Sequence, residues 1–566
     1  MNIAASSPVH LQEKLTLKQW VILILVGFAF LLPGINTLPV TDRDEARYAQ
    51  ASKQMNETGD YVDIRFQEQT RYVKPVGTYW LQSQTAKFIA YITNEKEAKI
   101  WAYRIPSFLA GLTAILVTAW IGTIMAGNKA GFYSGLIMAS ILIVSVESRI
   151  AKTDALLLAA TAIAQSGLFL IWRAKESIKQ KFIGAPLLFW AGTAAGILIK
   201  GPIILLVSVG TILSLSIINK SWSWIKHLSI FKGLVLLALL VAPWLVMIII
   251  KTEGKFLSDS LGHAMLGKVA RSDDSHGLPP GMHLIFYFAC FWPLGLMTAL
   301  QNIYALKNRK TKVVQFLLCW IWPTWIVFEL VVTKLPHYTL PLYPAIAILT
   351  SLALINAHEL LKDKLTKRLH WLFLVIFTLF TTALSLFPII LEIQFALPLS
   401  TSALLTAIFG IFVIGTGLYF GIAPSEKRFV PLLVTTLSFY IVTFSSTLPQ
   451  IKMVWPSQQI AKTVETLKGC PSINPAIAGY PEPSNVFYLG TKTNLTTGQG
   501  AAKFLANNRD CGLAIIEKKQ EEKFLKQAQA KQLDLEIINE VSGINVSKGK
   551  KIKLKIYKNK SSKITK

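Results

Sequence analysis

Charge is scarce in this chain, and negative charge scarcest: 31 Asp and Glu stand against 58 Lys and Arg, and all four types make up only 16% of 566 residues. A soluble chain of this length would split into several domains with a far more charged surface. That class is excluded. Also missing are the P-loop, GxSxG, HExxH and Rossmann fingerprints, so nucleotide hydrolysis, zinc proteolysis and dinucleotide chemistry gain no support. No repeat of solenoid period occurs, and only the Lys-rich end is of low complexity. Cysteines number four. Cys290 and Cys319 fall in apolar runs, whereas Cys470 and Cys511 fall in a polar C-terminal stretch, as a disulfide or as two unrelated buried thiols.

What the chain has is apolar length: 52% hydrophobic residues and a mean hydropathy of +0.46. A bilayer-spanning helix needs roughly 20 apolar residues, and such runs recur. The pattern predicts thirteen spans, near 19–38, 100–125, 129–147, 154–172, 184–199, 203–218, 231–250, 284–305, 314–332, 339–357, 370–392, 402–421 and 429–448. The first lacks a small-residue cleavage site and reads as a retained helix.

The net charge of +27 sits in short loops between the runs: "WRAKESIKQK", "KNRKTK", "KDKLTKR" and "SEKR". That is the positive-inside pattern, and an anionic membrane surface explains it without a nucleic-acid partner. With the N-terminus inside, every basic loop is cytoplasmic. The longer connections 39–99 and 251–283, and the tail 449–566, then lie on the opposite side. In the first connection "DEARYAQASKQM" and "VGTYWLQSQTAKFIAYI" have the spacing of interfacial helices. In the tail "PAIAGY" and "CGLAIIE" read as buried strands, "GAAKFLANN" and "EKKQEEKFLKQAQAKQ" as helices, and "KGKKIKLKIYKN" as an edge strand. The fold class is a polytopic α-helical membrane protein, residues 1–448, with a small C-terminal α/β domain, residues 449–566.

The same sidedness gathers Asp44, Lys74, Asp154, Lys200, His263 and the "TKLPHY" stretch on the non-cytoplasmic face. Each has a bland reading. Thr41 or Asp42 caps a helix whose positive end Asp44 and Glu45 favour, Lys74 snorkels to headgroups, and Asp154 caps a span. Lys200 stands at a tight Gly-Pro corner between two apolar runs, and His263 and His276 lie in a long loop. Ionisable residues at membrane depth are nonetheless costly, and a set converging on one face points to function. In "TKLPHYTLPLYP" three prolines interrupt a helix start, as in broken helices that line a cavity into which Lys334, His337 and Tyr338 point. Lys74, Lys200, Lys268, Arg271 and Lys334 suit a phosphate. Asp44 suits a general base or a metal ligand, and Tyr48, Tyr79 and Trp80 suit a sugar ring.

The motifs "RDEARYAQ", "RYVKPVGTYW", "AKTDALLLA", "GILIKGP", "GHAMLGKVAR" and "TKLPHYTLPLYPAIAIL" together resemble the C-type (GT-C) membrane glycosyltransferases. They look most like the lipid A aminoarabinose transferase branch and its galacturonic-acid-transferring relatives, over most of residues 15–350. The resemblance implies an inverting transferase of the bacterial inner membrane with a periplasmic active face. Its donor would be an undecaprenyl-phosphate-linked sugar, and its acceptor lipid A or core lipopolysaccharide. By motif position Asp44 matches the first-loop catalytic aspartate, with Arg47 and Tyr48 beside it, and Asp154 the second acidic site. Lys74 matches the lysine on the donor phosphate, and Lys200, His263, Lys334 and Tyr338 line the same cavity. In the aminoarabinose branch a glutamate, a candidate metal ligand, precedes that lysine. Val73 stands there in this chain, so a divalent metal would lack that ligand, and the aminoarabinose assignment lacks one of its marks. A protein O-mannosyltransferase with peptide acceptors is a rival within the class. A transporter is a rival outside it, but would place its polar residues near the midplane within inverted repeats.

Overall fold

A computed structural model describes residues 13–173, 184–260 and 277–565. The chain divides into two compact units. One is Met1–Ile35, Arg71–Leu81 and Arg104–Thr447; the other is Asn36–Thr70, Gln82–Tyr103 and Leu448–Lys566.

The first unit is a bundle of apolar helices, and the protein is a multi-pass membrane protein. Among the described residues eight helices are long and apolar enough to cross a bilayer, or nine if one bent pair counts as a single span. Leu17–Leu31, Ala185–Lys200 and Ile203–Ile218 are apolar but shorter, and the run at 129–147 breaks into Asn128–Ser140 and Leu142–Glu147. The run at 284–305 is not one straight helix. Met282–Cys290 and Leu294–Lys307 meet at a bend of 119°. At the break the Trp292–Pro293 peptide is cis, and the Trp292 indole donates to Thr381 Oγ1 at 2.9 Å. Proline removes the amide a continuous helix would need there.

Helix Asp154–Arg173 is enclosed, with 94% of its apolar window buried, whereas Ile230–Lys251 leaves most of its surface outward (22% buried). Outward leucines, valines and isoleucines on such helices meet lipid at no desolvation cost. The enclosed helix packs antiparallel to Ala185–Lys200 through small residues. A Cβ on Gly192 would lie 2.8 Å from the carbonyl oxygen of Ala160, and one on Gly167 would lie 2.6 Å from the amide of Phe189. Where lipid is as apolar as the side chains, such backbone contact is what holds helices together. Because the pair is antiparallel, the first residue of one helix, Asp154, reaches the last residue of the other, Lys200.

In the second unit the tail forms a five-stranded sheet in the order Asn494–Thr496, Asn474–Ala478, Gly512–Glu517, Lys550–Asn559 and Leu535–Asn545. The first two pairings are parallel and the last two antiparallel. Alternation in the strands serves two cores. Ile477, Leu513, Ile515, Leu554 and Ile556 face one, with Ile460; Ala476, Ala514, Ile516 and Tyr557 face the other, with Leu505 and Phe524. The Lys-rich strand is not at an edge, because Leu535–Asn545 pairs along its outer side. Its lysines alternate with Ile552, Leu554 and Ile556, a pattern that an interior strand with one partly solvated face shares with an edge strand. Cys470 and Cys511 form a disulfide next to the two central parallel strands. Cys290 and Cys319 are buried thiols.

Candidate active site

The resolved cluster lies in the helical unit, where four short corners of the bundle meet. Glu147 ends helix Leu142–Glu147, Asp154 begins the enclosed helix, Lys200 ends Ala185–Lys200, and His337 lies in the 3-10 turn Pro336–Leu342. Gly201 (φ 73°) makes the corner after Lys200, a left-handed conformation suited to glycine. Lys200 Nζ donates to Asp154 Oδ1 in a buried ion pair. Lys152 Nζ lies 3.4 Å from Glu147 Oε2 and 3.6 Å from Asp154 Oδ2. His337 lies between the acids, Nδ1 3.7 Å from Glu147 and Nε2 3.8 Å from Asp154.

Two carboxylates and two ammoniums thus cancel, which is the condition for keeping charge at this depth. Glu147, Asp154 and His337 bring their donor atoms within 4.8 Å of one another, close enough to share a metal ion. The lysines speak against it. Both ammoniums already stand on these carboxylates, and a dication placed there would meet two like charges. The cluster fits a lysine-neutralised network rather than a metal centre.

Tyr338 extends the cluster. Lys200 Nζ lies 5.7 Å from the centre of its ring, and His283 stacks on it at 6.4 Å between centroids. Lys334 is buried and donates to the Val331 carbonyl at 2.6 Å. Lys74 is half-buried in the turn before helix Gly77–Thr93. Gly77 lets that turn approach the helix of Lys200, since a Cβ there would lie 2.7 Å from the Leu198 carbonyl oxygen. Tyr79 is fully buried, so its ring is taken up in packing, while Trp80 is half-buried.

Asp44, Arg47 and Tyr48 belong to the second unit, on helix Asp44–Thr58. Neither Thr41 nor Asp42 caps that helix. Its N-cap is Arg43, at φ 63° and ψ −98°, with no side-chain cap. A non-glycine residue there is strained and must be held by its surroundings, and the neighbouring charges do so. Glu45 accepts from the amide and hydroxyl of Thr41 at 2.8 and 2.9 Å. Asp42 accepts from Tyr480 Oη at 3.3 Å and the Ser484 amide at 3.4 Å, and Arg43 donates to the Ser547 carbonyl at 3.2 Å. Burial, with Glu482 adding to it, pushes the Asp42 carboxyl up to about 6. Further along, Val40 donates to Tyr488 Oη at 2.9 Å and Gln50 to Thr491 Oγ1 at 2.7 Å. Of the four charges in "DRDE", three are tied into structure. Asp44 alone is exposed, with no hydrogen-bond or ion-pair partner among the described residues. Tyr48 is buried and Arg47 half-buried.

His263, Lys268, Arg271 and His276 lie outside the described residues. Sequence reasoning passed over Glu147 and Lys152. Both stand in "VESRIAKTDALLLA", the acid at the end of one apolar run and the lysine just before the next, where a charge is ordinary. The signal was the density of that stretch: two acids and two bases between two spans.

The family model described as dolichyl-phosphate-mannose-protein mannosyltransferase matches residues 34–253. Two curated relatives, the undecaprenyl phosphate-alpha-4-amino-4-deoxy-L-arabinose arabinosyl transferases of Aeromonas hydrophila and Yersinia enterocolitica, are each 28% identical. The first match covers 62% of this chain and 61% of the relative, the second 58% and 57%. The chain thus spans about three-fifths of these relatives' length. A crystal structure of ArnT from Cupriavidus metallidurans bound to undecaprenyl phosphate superposes with a TM-score of 0.74 at 16% identity, over 96% of this chain and 99% of that one. In fold the chain is a membrane protein similar to ArnT, and its sequence resembles the aminoarabinose transferases.

Proposed function

We propose that this chain is an inverting glycosyltransferase that moves a sugar from a polyprenyl-phosphate donor to lipid A or core lipopolysaccharide. It would do so on the periplasmic side of a bacterial inner membrane. The observation that carries this reading is the buried Asp154–Lys200 pair with Tyr338 beside it, at the corners of a fold whose solved counterpart holds undecaprenyl phosphate.

In this reading the anomeric C–O bond to the lipid phosphate breaks as the acceptor oxygen bonds to the opposite face of that carbon. The phosphate leaves with its negative charge. Lys200, fixed by Asp154, and Lys74 and Lys334 supply the cations that make departure easier. His263 takes the phosphate-facing role its motif implies, and Arg47, Tyr48 and Tyr338 bind substrate. When the acceptor is a hydroxyl, its proton passes to Asp44, whose carboxylate is exposed and has no partner among the described residues. When the acceptor is a phosphate, no proton moves and Asp44 orients the acceptor. Residues 1–448 form the transmembrane domain with catalytic loops 39–99 and 251–283, and residues 449–566 a periplasmic domain. The Cys470–Cys511 disulfide supports that sidedness, because such bonds persist in oxidising compartments. The match of residues 34–253 to the mannosyltransferase model favours one second reading, in which the acceptor is a protein hydroxyl.

The test is turnover of an undecaprenyl-phosphate-linked sugar by the purified full chain, followed as free undecaprenyl phosphate, alongside mass spectrometry of lipid A from cells with and without the gene. Asp44→Asn should abolish turnover while inserting normally. A variant that turns over at near wild-type rate would overturn the assignment. Unchanged lipid A and core, with turnover intact, would move the acceptor to protein.

A further inference from the structure

Away from that cluster, one cavity is lined by basic side chains. It occupies about 540 Å³ where the first turns of helix Lys364–Gln394 meet the corner between helices Thr401–Ile422 and Glu426–Val442, with Lys362, Lys367, His370, Trp371 and Arg428 on its walls. No carboxylate is among the described residues that line it. Of the acids nearest in sequence, Glu359 neutralises the wall residue Lys362, and the other two are engaged elsewhere. Glu359 holds Lys362 at 2.7 and 2.9 Å, Asp363 accepts from the amide and hydroxyl of Thr366 at 2.8 and 2.6 Å, and Glu426 pairs with Lys129 at 2.7 Å. Arg428 is pre-oriented. Its guanidinium lies 4.4 Å from the centre of the Tyr419 ring and donates to the Tyr419 carbonyl at 3.0 Å. Lys367 is exposed and has no partner among the described residues. His370, also on the wall, is held through its Nε2 by the Gly421 carbonyl at 2.8 Å.

Positive loops alone would scatter charge over the helix ends. Here the charge surrounds a concavity, and the wall below it is apolar and outward-facing, with Trp371, Leu372, Tyr419 and Ile422 between 44% and 58% exposed. A basic mouth above an apolar helix surface is complementary to a molecule with an anionic head and hydrocarbon tails. An aromatic at that level is the usual interfacial anchor. We propose that this cavity binds the phosphate headgroup of an anionic phospholipid, its acyl chains lying along helices Lys364–Gln394 and Thr401–Ile422. Under the orientation proposed above it opens to the cytoplasmic leaflet. The site itself does not depend on the transferase reading.

The test uses the full chain reconstituted in nanodiscs of phosphatidylcholine and phosphatidylglycerol in equal parts, with retained lipid counted by native mass spectrometry after release. Lys367→Gln/Arg428→Gln is compared with Lys220→Gln/Lys226→Gln, a control that removes two cations from another loop. The wild type and the control should retain phosphatidylglycerol over phosphatidylcholine. The cavity variant should lose that preference by about fivefold per cation removed. Equal retention in all three proteins would overturn the site. So would an equal loss in the control, which would reduce it to generic surface charge. Displacement of bound lipid by millimolar inorganic phosphate would also overturn it, by showing that the tails add nothing. Unchanged sugar transfer in the cavity variant, alongside lost lipid retention, would separate this site from the catalytic reading.

Discussion

Replacing Lys200 by methionine should destabilise the helical unit through a charge left behind, rather than through a lost bond. Asp154 is 3% exposed and its closest cation is Lys200. Removing one member of a buried pair costs about 3–5 kcal/mol, because the remaining ion has neither water nor partner. Lys152 still stands 3.6 Å from Asp154 Oδ2, so the cost belongs near the lower end, about 3 kcal/mol. Asp154→Asn should cost a similar amount by stranding Lys200. Asp154→Asn/Lys200→Met should then cost far less than the two added together, with a coupling of about 3 kcal/mol. The chain carries its own reporters for the measurement, the buried thiols Cys290 and Cys319. Thermal unfolding in detergent, read by a thiol-reactive fluorophore, should fall by about 4 °C in each single variant and recover in the double. Simple additivity would refute the reasoning, since it would mean that each residue acts through solvent or through other partners.

Gly77→Ala should lower turnover by about tenfold or more, because its Cβ would press on the Leu198 backbone at 2.7 Å and displace Lys74 and Lys200 relative to each other. Kinetics matching the wild type would show that the approach has slack. The Asp42 carboxyl is raised to about 6 in the fold from an ordinary 3.8. The folded state therefore binds the extra proton, stability contributed by Asp42 is full below pH 4 and is lost as pH rises through 6. Asp42→Asn should remove that slope, checked by urea unfolding of the full chain, followed by hydrogen exchange of the tail, at pH 5 and 7. An unchanged slope would assign it to another group. Cys470→Ser/Cys511→Ser opens a loop with a sequence separation of 41 and should cost the tail domain roughly 4 kcal/mol. Limited proteolysis at rising urea concentration would measure it, and equal resistance would contradict the estimate.

The fold was legible wherever one local rule sufficed. Apolar runs near the length of a bilayer announced the membrane helices. The alternating "PAIAGY" and "CGLAIIE" announced the two central strands. Reading failed where a choice depended on a partner distant in sequence. "KGKKIKLKIYKN" alternates whether or not another strand covers its outer side, and only the pairing with Leu535–Asn545 made it interior. The run at 284–305 is apolar throughout, yet folds back on itself by 119°.

Composition and pattern by themselves determined that this is a helical membrane protein with a small C-terminal sheet unit and with ionisable residues at the ends of its apolar runs. Burial of apolar length and the cost of stranded charge are enough to dictate that much. Tertiary structure alone decided which of those residues meet. Small residues such as Gly192 and Gly167 fix an antiparallel helix pair, and that pairing brings Asp154 onto Lys200. Lys152 links Asp154 to Glu147, and the turn at His337 sets its ring against both acids. Likewise "DRDE" carries four charges of similar local character. Only the hydrogen bonds of Asp42, Arg43 and Glu45 to the folded chain around them leave Asp44 as the carboxylate without a partner among the described residues. Capping rules act within one turn of helix, whereas ion pairs and close backbone approach act across the fold, so sequence could nominate these groups and only packing could select among them.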